Sequence, residues 1–123
     1  MIFLRSALVT ATIYHAVPEQ TNADYLTTAS LKKINKHNPQ GHRWIAVSRD
    51  LERLGFVFGT LVCVSGAGDM DGIWRVEDRM NRRWKRKIDF LVNEEMKFGK
   101  WDNVKITIES TRFRQNRHKI DTP

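Results

Sequence analysis

The feature that most limits what this chain can fold into is the shortness of its apolar runs. They are separated stretches of strand length, and no long helical pattern joins them. Residues 7–15, ALVTATIYH, alternate Leu8, Thr10, Thr12 and Tyr14 against Val9, Ala11, Ile13 and His15, and Val, Thr, Ile and Tyr favour a strand there. Alternation likewise predicts strands at 73–78 and 104–109, and apolar runs of strand length predict them at 44–47, 61–64 and 87–91, with a shorter extended piece at 26–30. Turn-forming residues separate them. Pro18 ends the first strand, Pro39 and Gly41 mark a long basic loop over 31–43, and SGAGDMDG at 65–72 reads as a hairpin-type turn.

Two helical turns are expected. Ser48 is placed to N-cap one over 49–54, which Gly55 ends. Asn93 is placed to N-cap another over 93–98, with Glu94 and Glu95 in its first turn and Gly99 after it. Six or seven short strands and two helical turns predict an all-β domain. A small closed barrel is the most economical form, because closure removes the exposed edges of a small sheet.

Composition fits one modest domain: 123 residues, 41% of them hydrophobic. Residues 1–109 read as the barrel domain and 110–123 as a basic tail. The single cysteine, Cys63, excludes an internal disulfide and a cysteine zinc site, and its apolar run predicts a buried thiol. No metal site is expected. His37 and His42 have no Cys, Asp or Glu beside them. A calcium loop counted from Asp69 reaches Met80 where a Glu is needed. Nor is any cofactor expected. No apolar run approaches the roughly 20 residues of a membrane-spanning helix. The N-terminus lacks a basic region ahead of its apolar part, and Arg5 interrupts it, so it does not read as a signal peptide.

A net charge of +7 points to acidic partners, among them nucleic acid, anionic membrane surfaces and anionic cell-wall polymers. The charge is densest between two predicted strands, in Arg79, Arg82, Arg83, Lys85, Arg86 and Lys87. Each of those strands carries an aspartate, Asp78 and Asp89. An Asp between Ile88 and Phe90 stands to lose hydration, which favours its protonated form and suits a general acid. The alternative is that both are exposed strand-end residues. Of the four tryptophans, Trp84 is set among charges and is the best candidate to stack on a sugar ring.

Taken in order, the motifs resemble the three-aspartate (3D) domain. This is a double-psi β-barrel related to the rare lipoprotein A family and to the barrel of membrane-bound lytic transglycosylase A. Thr10-Ala11-Thr12-Ile13-Tyr14 matches its opening strand, and Thr28-Ala29-Ser30 its next element. Ala46-Val47-Ser48-Arg49-Asp50 and Phe58-Gly59-Thr60 follow. Val76-Glu77-Asp78 and Ile88-Asp89-Phe90-Leu91 carry the second and third aspartates, eleven residues apart. Met96-Lys97-Phe98-Gly99 with Val104-Lys105-Ile106 closes the pattern. Asp50 stands two residues later than the pattern places its first aspartate, and Arg79-Met80-Asn81 replaces a Gly-Gly.

The resemblance implies a double-psi barrel acting on peptidoglycan or another anionic glycan outside the cytoplasm. Without a recognisable signal peptide, release by phage lysis is one route there. It implies a lytic transglycosylase that cleaves the bond between N-acetylmuramic acid and N-acetylglucosamine. Asp89 would be the acid and base, with Asp78 as the supporting carboxylate. Tyr14, Thr28, Asp50, Arg79 and Trp84 are the candidate substrate-binding residues. Two other readings stand beside it. One is a non-catalytic glycan-binding or phage structural module on the same barrel. The other is a nucleic-acid binder, which rests on charge alone and has no reader motif.

Overall fold

The computed structural model describes residues 5–18 and 24–109; the tail read at 110–123 lies outside them. Six strands form a closed barrel: β1 (Arg5–Tyr14), β2 (Trp44–Val47), β3 (Leu61–Ser65), β4 (Gly72–Arg79), β5 (Lys87–Leu91) and β6 (Lys100–Ile108). Around the barrel the order is β1-β5-β2-β4-β3-β6, with β6 returning to β1. Two contacts, β1 with β5 and β2 with β4, are parallel. The other four are antiparallel. Every strand thus has two hydrogen-bonded neighbours, and no edge is left to pair with another chain.

Alternation decides the core. Val9, Ala11, Ile45, Val62, Val64, Trp74, Val76, Ile88, Phe90, Val104 and Ile106 are buried and packed together. Phe90 is the centre of an aromatic cluster, 4.7 Å from the Trp74 ring and 5.7 Å from that of Trp101. The helical turn α1 (Arg49–Glu52) follows β2 and contributes Leu51 to the core at one end of the barrel. The β3–β4 hairpin lies at the opposite end and contributes Ala67 and Met70. Within that hairpin, Asp71 accepts hydrogen bonds from the backbone N–H groups of Gly66 and Ala67, at 3.2 and 2.7 Å. These bonds fold the Gly/Asp-rich turn.

Three expectations are corrected. Residues 93–98 do not form a helix. Asn93 accepts a hydrogen bond from Gln40 N–H at 3.0 Å, so its side chain ties two loops together instead of capping a helix. One turn closes there through Met96 N–H to Asn93 O at 3.1 Å. Cys63 is exposed, because its neighbours Val62 and Val64 take the inward positions of β3 and strand alternation turns the thiol outward. The loop read over 31–43 contains a 3-10 turn at Pro39–His42, and Thr27 pairs with Lys33 just before it.

Two outcomes follow from this packing. Phe90→Ala should cost roughly 3–5 kcal/mol of stability in chemical denaturation; a loss under about 1 kcal/mol would contradict the aromatic centre. Cys63 should react with a thiol reagent in the native protein at nearly the rate of the unfolded chain.

Candidate active site

The two aspartates lie on strands that are not neighbours, and β2 runs between them. Ala46 on β2 is the residue opposite Asp89 on β5 and also opposite Asp78 on β4. Thr12 on β1 is opposite Asp89 from the other side. Thr12, Asp89, Ala46 and Asp78 therefore form one row across four strands. Residues opposite one another share a face. Ile88 and Phe90 point into the core, so the row points outward. Two strand spacings separate the Asp78 and Asp89 backbones by roughly 10 Å. Ala46 lies between them on β2 and is buried, and Tyr14 reaches from β1 across β5 and β2 to bond Asp78.

Simple alternation would not put Asp78 there. Trp74 and Val76 point inward, so strict period two would send Asp78 inward too. The β2–β4 register instead shifts between Ile45 and Ala46, where Ile45 is opposite Val76 and Ala46 is opposite Asp78. Glu77 is the extra residue of this bulge, and it is buried. Bulges re-aim side chains in this way. This one brings the second carboxylate onto the face that carries the first.

The two carboxyls have different surroundings. Asp78 accepts three hydrogen bonds, from Tyr14 OH, Ala29 N–H and Arg79 N–H, each at 3.0 Å. Ser30 N–H donates to Glu77 O at 3.2 Å, so the segment around Thr28–Ser30 is laid over the end of β4. Asp89 accepts one hydrogen bond, from Thr12 Oγ1. Burial pushes the Asp89 carboxyl up from its ordinary value, and the charge of Asp78 pushes the same way. The Thr12 bond and the Lys87 charge oppose them, and the net shift is upward. Burial, with the charge and hydrogen bond of Asp78, also raises Tyr14 well above its usual range, which keeps its phenol a donor. The site thus pairs a carboxyl inclined to hold its proton with a neighbour filled by donors.

The other predicted site residues divide. Tyr14 is in the site and touches Asp78 directly. Thr28 is buried beside it, but its hydroxyl is engaged with Ser30 Oγ at 2.9 Å and Lys32 N–H at 3.0 Å, which folds the covering segment. Asp50 accepts from Arg86 N–H and pins the start of β5. Burial would raise its carboxyl, but hydrogen bonds from Ser48 and from backbone N–H groups outweigh this and lower it. Arg79 turns to the barrel end, where it donates to Glu52 at 2.9 and 2.7 Å. Trp84 is exposed and carries Lys87 Nζ 3.7 Å from its ring centre. Lys87 precedes Asp89 by two residues on the same strand, so this pair borders the row. The remaining tryptophans are structural: Trp74 and Trp101 pack on Phe90, and Trp44 stacks on His42 at 3.9 Å.

Ala46 and Thr12 acquire their place only through register. Thr12 shares the outward parity of Tyr14 in the sequence, which is the one local signal for it. Among the described residues no group of three or more His, Cys, Asp or Glu is placed to hold a metal ion, and no helix is long and apolar enough to cross a membrane.

The raised Asp89 carboxyl has a consequence for stability. Between the unfolded value of about 3.9 and the higher folded value, the folded state binds more protons, so Asp89 costs stability as pH rises. Asp89→Asn keeps the size and the Thr12 partner but removes that cost. Its stability relative to wild type should therefore improve from about pH 3 to pH 7 in urea denaturation. A relative stability that worsens over this range would contradict the assignment. No protein-family model, curated protein or solved structure significantly matches the chain.

Proposed function

We propose that this chain is a lytic transglycosylase-like domain that cleaves the bond between N-acetylmuramic acid and N-acetylglucosamine in peptidoglycan. The observation that carries the reading is the outward row in which half-buried Asp89 faces Asp78 across Ala46. The order of motifs shared with the 3D double-psi barrels supplies the substrate class. Asp89 donates its proton to the glycosidic oxygen as the C1–O bond breaks. The resulting carboxylate then takes the proton of the sugar's own 6-hydroxyl, whose oxygen bonds to C1. The product is a 1,6-anhydro sugar, no water is consumed, and Asp89 ends protonated as it began.

In this scheme Asp78 stabilises the positive charge that develops at C1, and Tyr14 holds it in place. Trp84 and Lys87 offer a stacking face and a cation to the sugar and its acidic peptide stem. Peptidoglycan as substrate places this work outside the cytoplasm. One observation favours a second reading. The three hydrogen bonds on Asp78 join the segment around Ala29 to β1 and β4, which is what a purely structural carboxylate would do in a glycan-binding module.

Asp89→Asn separates the two. Under the catalytic reading the variant folds and glycan cleavage falls at least about a hundredfold. Wild-type products weigh one water less than those of a hydrolase by mass spectrometry. Products with ordinary reducing ends would point to hydrolysis. No cleavage by wild type, with glycan binding retained in both proteins, would establish the binding module.

A further inference from the structure

The basic connection between β4 and β5 divides in space, and one half of it builds a second site. Arg83 and Lys87 lie against Trp84, with the Arg83 guanidinium 4.9 Å from the ring centre. Arg79, Arg82 and Lys85 turn instead toward the barrel end that α1 closes. There, with Arg49, Glu52 and Arg53, they line an open cavity of about 580 Å³. Five cations thus surround one carboxylate.

That carboxylate is already committed. Both Glu52 oxygens accept from the Arg79 guanidinium, which also lies 4.9 Å from the Phe58 ring centre. The pair fixes one wall of the cavity. Arg49 donates through Nε to Met80 O at 3.3 Å and is held on another side. Arg53 and Arg82 are exposed and make no side-chain hydrogen bond or ion pair with any described residue. Lys85 lies close enough to Asp50 for its charge to help lower that carboxyl. The loop that carries Arg82 and Lys85 is itself anchored. Asn81 closes its turn through Trp84 N–H to Asn81 O at 3.1 Å, and Asp50 and Ser48 accept the N–H groups of Arg86 and Lys87 at 3.0 Å. Part of the order needed to converge these cations on a ligand is therefore built in before binding.

We propose that this cavity binds a compact, multiply charged phosphate, such as a phosphomonoester or pyrophosphate group. Guanidinium forks match phosphate oxygens two at a time, and a terminal phosphate carries nearly two negative charges where a carboxylate carries one. The cations ring a cavity instead of following a track, which suits a compact anion over a phosphodiester backbone. The site lies at the barrel end, apart from the outward row, and stands or falls independently of glycan cleavage at Asp89.

Isothermal titration at fixed ionic strength tests it, with pyrophosphate, acetate and an oligonucleotide lacking terminal phosphates as probes. Pyrophosphate should bind at least about tenfold more tightly than acetate, the effect of one charge-assisted hydrogen bond or more. Arg53→Ala with Arg82→Ala should weaken pyrophosphate at least about tenfold. Arg83→Ala, on the Trp84 side, should leave it unchanged. All three residues are exposed, so the variants should fold, with circular dichroism as the control. Equal binding of acetate and pyrophosphate, no effect of the double variant, or an equal loss from Arg83→Ala would overturn the proposal. So would an oligonucleotide that binds as tightly per phosphate as pyrophosphate, since that would mean a backbone track.

Discussion

The structure turns on β2, a strand of only four residues that is hydrogen-bonded on both sides. It runs parallel to β4 and antiparallel to β5, and it contributes Ile45 and Val47 to the core. Without it, β5 and β4 would present unpaired backbone groups, and the barrel would open. The same strand sets the site. Its outward residue, Ala46, is small and buried, and Tyr14 reaches across the row from β1 to Asp78 on its far side. A larger side chain there would have to displace the groups that already bury Ala46.

A bulge lets one wall do both jobs. The core needs Val76 opposite Ile45, and the outer row needs Asp78 opposite Ala46. No unbroken strand satisfies both, because one residue of shift reverses every side chain. The extra residue, Glu77, resolves the conflict. The segment around Thr28–Ser30 covers this irregular end of β4 and takes up Glu77 O and Asp78 Oδ1. Tyr14 donates to the same Asp78, so a phenol, two carboxyls and a threonine hydroxyl lie together, each half-buried.

Much of this was legible in the sequence, because inward and outward residues alternate visibly along short strands. β1, β3 and β6 show that pattern, β2 reads as a short apolar run, and Asp89 between Ile88 and Phe90 already signals a carboxyl with restricted hydration. Asp78 was legible as a candidate but not as a neighbour of Asp89, since neither the intervening strand nor the bulge has a local signature. Thr28 enters as a candidate through the family resemblance and Arg79 through the basic cluster; the sequence does not show that in the fold Ser30 and Lys32 engage the first and Glu52 the second. Asn93 is a corrected expectation: a good cap residue goes to whichever backbone N–H lies nearest, and here that is Gln40. The α1 cations Arg49 and Arg53 are far in sequence from the β4–β5 connection, and only folding unites them.

The central claim is that Asp89 holds a proton that an ordinary aspartate would have lost, in part because Asp78 faces it across Ala46. Titration of the Asp89 side-chain carboxyl carbon by NMR, in wild type and in Asp78→Asn, measures this directly. The account predicts a midpoint for Asp89 above the ordinary value of about 3.9 in wild type and a lower midpoint in the variant. A wild-type midpoint at or below that ordinary value, or one that does not move when Asp78 loses its charge, would contradict it.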